Sequence, residues 1–104
     1  MDIETIKENN RLAGQFFFSK DTMRFFKSKV LPTVYGDKYF ITRETGPSGI
    51  PAYTVREAID GGKNIKTVGA FNSMTLAEAK AAARAFVESE RGAKAINAAI
   101  AEVK

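Results

Sequence analysis

The sequence predicts an α+β fold: a three-stranded antiparallel β-meander packed against helices, in the order α-β-β-β-α with a short extra C-terminal helix. Three observations point there. Asn64–Val87, NIKTVGAFNSMTLAEAKAAARAFV, reads as a strand, a tight turn and a capped helix. Two further stretches, Lys38–Glu44 (KYFITRE) and Tyr53–Ile59 (YTVREAI), are rich in aromatic and β-branched residues. Short connections containing Gly and Pro separate the three, as in antiparallel hairpins.

Taken in order, Met1–Arg11 is polar apart from Ile3 and Ile6, and reads as a flexible arm or as one short helical turn. Leu12–Phe18 holds Gly14 and three successive phenylalanines, which fit neither the helical nor the strand period, so burial on more than one side is expected. Ser19 can cap a helix with Asp21 in its first turn. Met23, Phe26 and Val30 then form an inward stripe, while Lys20, Arg24 and Lys27 face water. Pro32 offers no N–H and restrains Leu31, which sets the predicted helix at Lys20–Val30.

Tyr35-Gly36-Asp37 is a turn into the first strand, where Tyr39 and Ile41 lie on one side and Phe40 on the other. Part of that strand is therefore expected to be covered on both faces. Gly46–Pro51 is the loop of a long hairpin, and Asp60-Gly61-Gly62-Lys63 a tighter turn into the third strand. In the middle strand Tyr53, Val55 and Ile59 share one side, with Thr54 and Arg56 on the other. In the last strand Ile65, Val68 and Phe71 supply the apolar positions, and Gly69 marks a bend or close backbone approach.

Thr75 and Glu78 stand three apart before an apolar-periodic run, the spacing of a capping box, with Met74 placed to staple against Ala79. Leu76, Ala79, Ala83, Phe86 and Val87 form the inward face of that helix. Gly92 is its expected stop, and Ala93–Lys104 a short amphipathic helix that packs back or mediates self-association. The whole reads as one domain over residues 1–104, its sheet packed on helices by one face and wholly or partly open on the other.

Composition narrows the function. Among 104 residues there is no Cys and no His, which removes thiolate nucleophiles, disulfides, Cys-based zinc sites and the usual general base near neutral pH. The carboxylates are scattered, no serine sits in an elbow motif, and Gly61-Gly62-Lys63 is too short for a phosphate-binding P-loop. The expectation is a non-enzymatic protein with no cofactor and no metal. No run approaches the roughly 18 apolar residues of a membrane span, and MDIETIKENN does not read as a signal peptide, so a cytoplasmic location without membrane partners is expected. Sixteen basic against twelve acidic residues give a formal charge of +4, which permits a phosphate-bearing partner without demanding one.

Two resemblances add to this. Val68-Gly69-Ala70-Phe71 followed by Glu78-Ala79-Lys80-Ala81-Ala82 is similar to the strand and helix of two DNA-binding families: the arm-binding domains of phage tyrosine integrases and the domains of plant ethylene-response factors. The match covers about half the chain and describes packing more than contacts. It implies a sheet laid in the DNA major groove, with Arg56 and Lys66 at the matching strand positions and Arg43 on the first strand. Those families have more basic and aromatic residues on that face than stand here. The N-terminal half, NNRLAGQFFFSKDTMRFFKSKV with VYGDKYFITRE, resembles small uncharacterised proteins of bacteriophages and mobile elements, which implies an origin and no particular activity.

Two binding readings follow. In one, the open sheet face with Arg43, Arg56 and Lys66, and the basic helix with Lys20, Arg24 and Lys27, contact nucleic acid. In the other, the protein inhibits a host defence system or acts as an adaptor, docking on a protein by its sheet edge, Phe-rich segment or alanine-rich tail.

Overall fold

Four strands form the sheet. A computed structural model describes the backbone of residues 1–25, 29–45, 49–71 and 75–103, and the side chains of 1–24, 29–45, 49–68 and 75–89. The elements are α1 (Ile3–Leu12), α2 (Lys20–Phe25), β1 (Lys29–Val30), β2 (Tyr39–Thr45), β3 (Pro51–Ile59), a 3-10 turn at Asp60–Gly62, β4 (Asn64–Phe71) and α3 (Leu76–Val103). The fold is α+β and the sheet antiparallel, in the order β1-β2-β3-β4.

The fourth strand comes from a segment predicted as helix. Lys29 and Val30 pair with Arg43 and Thr42, and the Leu31 N–H donates to the Ile41 carbonyl at 2.9 Å, prolonging the ladder. β-Branched Val30 and pre-proline Leu31 favour this extended backbone, so the helix capped by Ser19 covers only Lys20–Phe25 among the described residues.

The N-terminal segment is neither an arm nor a single turn. It is the ten-residue α1, capped by the Asp2 carboxylate, which accepts from the Thr5 N–H at 2.8 Å. Ile3, Ile6 and Asn10 fall on one face of it and are buried. Asn9 and Asn10 donate side-chain hydrogen bonds to the carbonyls of Gly61 (2.7 Å) and Gly62 (2.9 Å), docking α1 on the turn before β4. Gly62 has φ +113°, and a Cβ there would lie 2.7 Å from the Ile6 carbonyl oxygen, so the close approach needs glycine.

The capping box is present. The Glu78 N–H donates to Thr75 Oγ1 and the Thr75 N–H to the Glu78 carboxylate, both at 3.2 Å. Gly92 does not stop the helix, and the separate helix expected over Ala93–Lys104 is the continuation of α3 to Val103. An interior glycine costs only about 1 kcal/mol relative to alanine, less than the alanine-rich flanks can offset. Met74, expected to staple against Ala79, lies outside the described residues. Gly69 sits at a register shift: Val55 pairs with Gly69 but Arg56 with Thr67, leaving Val68 as the extra residue of a bulge.

Helices pack on both faces of the sheet, so neither is wholly open, although Arg43, Lys66 and Thr67 remain exposed. On one, Ala79 and Ala83 of α3 pack with Tyr39, Ile41 and Val55, and the Phe86 ring stacks on Tyr39 with centroids 5.6 Å apart. On the other, Ile3 and Ile6 of α1 join Phe40 and Ala58, with Phe17, Phe18, Val30 and Ile65 around them. Phe17 and Phe18 meet edge-to-face at 4.8 Å, and both lie against Phe40. Of the Phe run only Phe17 and Phe18 pack on this second core, each half-buried as its lid, while Phe16 is exposed, which corrects the burial expected for the whole run.

Two outcomes follow from this docking. Gly62→Ala should cost roughly 2–4 kcal/mol in urea denaturation, through backbone strain and the clash with Ile6. Gly14→Ala shares a positive φ but meets nothing within 4 Å, and should cost about 1 kcal/mol. Equal costs would contradict the α1 contact. The second concerns acid. Hydrogen bonds from the Thr5 hydroxyl and then the Thr5 N–H hold the Asp2 carboxyl below its ordinary value. A lowered folded pKa means this contribution is complete above the unfolded value and lost as pH falls through the folded one. The thermal midpoint should therefore drop below about pH 4, and Asp2→Asn, a cap without charge, should make that drop shallower. An unchanged pH profile in the variant would contradict it.

Candidate nucleic-acid interface

Pairing register decides where each strand cation goes. Tyr39, Glu57 and Lys66 form one cross-strand row; Phe40, Arg56 and Thr67 form the next; Lys29, Arg43, Tyr53 and Phe71 form a row further along. Alternate rows face opposite sides, so Arg43 and Lys66 belong to the α3 side and Arg56 to the α1 side. The three expected strand cations are not brought together.

Arg56 is engaged within the fold. Its guanidinium pairs with the Glu44 carboxylate, donates to Thr42 Oγ1 at 3.2 Å and to Thr67 Oγ1, and lies over the Phe17 ring at 5.3 Å. The Thr42 hydroxyl in turn donates to Glu44 at 3.2 Å. With its side chain only 18% exposed, Arg56 ties three strands to the Phe lid and leaves the set of cations open to a ligand. Nothing in the strand pattern shows this, because Glu44 and Thr67 meet Arg56 only through the register.

Pairing elsewhere uses up most of the acids. Glu4 pairs with Lys7 at 3.5 Å, Glu8 with Arg11, and Glu57 with Lys38 at 3.2 Å. Asp2 and Glu78 cap α1 and α3. Among the described residues, Lys20, Arg24, Lys29, Arg43, Lys63, Lys66, Lys80 and Arg84 form no ion pair. Lys20 and Arg24 are exposed on the six-residue α2, where Thr22 shares a cavity with Asn64 and Ile65 of β4. Lys66 is exposed on β4. Lys27 lies outside the described residues.

Two of these cations are neighbours across strands. Lys29 and Arg43 are direct cross-strand partners and both exposed, an arrangement of like charges that costs free energy unless an anion lies near. On α3, Val87 touches the Gly36 turn, and Arg84 lines a cavity with Val34, Tyr35 and Gly36. Lys80, exposed and one turn earlier, is on the same flank of that helix. Lys29 and Arg43 on the sheet and Lys80 and Arg84 on α3 are thus exposed cations on the α3 side, with half-buried Tyr53 next to Arg43. Lys29, Lys80 and Arg84 were not among the expected contacts. The sequence marks them as polar positions, and only the strand register and the packing of α3 on the sheet put them on the same side.

Among the described residues, no three His, Cys, Asp or Glu side chains come together as a metal site, and no helix is long and apolar enough to cross a membrane. Residues 2–96 match the model of a family described as "Family of unknown function (DUF7447)". No curated protein and no solved structure matches the chain.

The two kinds of cation should separate on truncation. Arg56→Ala leaves Glu44 half-buried without its partner and should cost roughly 1–3 kcal/mol in urea denaturation. Arg43→Ala should stay within about 0.5 kcal/mol, or stabilise slightly by relieving Lys29. A larger cost for Arg43→Ala would contradict both assignments.

Proposed function

The chain belongs to the DUF7447 family of unknown function, and from its own geometry we propose a non-catalytic nucleic-acid-binding module that grips the phosphate backbone along the β1–β2–α3 seam. The observation behind this reading is the exposed Lys29–Arg43 pair, set side by side without an acid, with Lys80 and Arg84 exposed on the same α3 side of the sheet. Such a juxtaposition is unfavourable in the free protein and favourable beside phosphates, whose neutralisation releases bound counterions. The surface differs from the one the integrase-like resemblance implies, since the Arg56 side of the sheet lies under α1 and the Phe lid.

One observation favours a protein target as the second reading. Phe16 is 75% exposed and Leu12 68%, close together in sequence where α1 ends. Large apolar side chains held in water mark contact sites when they cluster.

Titrating labelled duplex DNA, single-stranded DNA and single-stranded RNA at several salt concentrations tests the proposal. Binding is expected in the range of non-specific nucleic-acid affinities, about 10⁻⁴–10⁻⁶ M, and should weaken steeply with salt. Arg43→Ala and Lys80→Ala should each lower the slope of log affinity against log salt by about 1 on duplex, with thermal midpoints nearly unchanged. No binding to any of the three at low salt would remove the proposal and favour the Phe16–Leu12 surface.

A further inference from the structure

At the far end of the seam lies a cavity of about 320 Å³ lined by Val34, Tyr35, Gly36, Arg84, Val87 and Glu88. Its construction is specific. The Tyr35-Gly36-Asp37 turn has φ +58° at Gly36 and +64° at Asp37, and a Cβ on Gly36 would meet Val87 Cγ2 at 2.7 Å. The turn is thereby seated on α3, and Val34 and Val87 give the cavity apolar walls beside the Tyr35 ring. Arg84 and Glu88, one helical turn apart, add one positive and one negative group.

Building on the phosphate-binding reading above, we infer that this cavity is a base subsite that takes one unpaired guanine of a single strand. The volume is at the low end for small-ligand sites, about 300–1,000 Å³, enough for one base and too little for a stacked pair. Apolar walls and an aromatic ring suit the flat face of a base. Arg84 is the last cation of the seam and holds the phosphate attached to that nucleotide. Glu88 selects the base. A carboxylate offers about four acceptor sites, so a bond to a neighbour leaves acceptors over. Guanine alone of the four presents two adjacent N–H donors on its Watson–Crick edge, N1–H and N2–H, matching two carboxylate oxygens, whereas adenine, cytosine and thymine each present a single donor group there. A paired base hides that edge, so duplex bound along the same seam gains nothing from the cavity.

The test uses the full chain and short labelled oligothymidylates carrying one central guanine, adenine, cytosine or thymine, read by fluorescence anisotropy. The guanine strand is expected to bind about tenfold more tightly than the others, the discrimination typical of a two-bond base contact. Glu88→Gln, which keeps the shape but loses one acceptor oxygen, should bring the four strands within about twofold of one another. Arg84→Gln should weaken all four together and leave their ratio unchanged. Equal binding of all four strands by the native chain overturns the base subsite and leaves the phosphate seam standing. Guanine preference that survives Glu88→Gln also overturns it. No binding of any strand overturns both.

Discussion

Four consecutive residues of β2, Tyr39 to Thr42, are buried, and most of the structure follows from that. Alternate side chains of a strand point to opposite faces, so such a run cannot be satisfied by one covering layer. Tyr39 and Ile41 need an apolar cover on one side and Phe40 on the other. Among the described residues two helices are long enough to help: α3 covers the first side, and α1 with the Phe17–Phe18 lid the second. Thr42, the polar member, is tolerated because its hydroxyl is bonded to Arg56 and Glu44.

The same constraint sorts the charges. An arginine on a covered strand face must find partners, and Arg56 has Glu44, two threonine hydroxyls and an aromatic ring. Other acids are drawn into pairs on α1, into the Lys38–Glu57 pair and into helix caps. What remains outside is an excess of positive side chains, among them Lys29, Arg43, Lys80 and Arg84 on the α3 side of the sheet. A modest formal charge of +4 thus becomes a local concentration, because neutralisation is uneven.

Much of this was legible in the sequence. The three long strands, their turns, the capping box at Thr75–Glu78 and the bend at Gly69 rest on local chemistry, and local chemistry is what a sequence displays. Double coverage of the first strand was visible in the Tyr39-Phe40-Ile41 run, although the covering element was not. Lys29–Val30 was hidden because a two-residue strand exists only through its partner Arg43–Thr42, and α1 because its helix is held by contacts with Gly61 and Gly62 some fifty residues away. The site was legible only in part. Arg43, Lys66, Lys20 and Arg24 are exposed cations as expected, but Arg56 is not, and Lys80 and Arg84 gain meaning only from the direction in which α3 crosses. A period says which residues share a helix face; it does not say what lies across from that face.

The most direct measurement is a two-dimensional amide spectrum of the isotopically labelled protein, recorded as a single-stranded oligonucleotide is added at low salt. Perturbations are expected at Lys29, Arg43, Lys80 and Arg84 and around the Tyr35 turn, with Phe17, Arg56 and Ile65 on the covered side unmoved. Perturbations centred on Arg56 and the Phe lid, with the seam silent, would contradict the account.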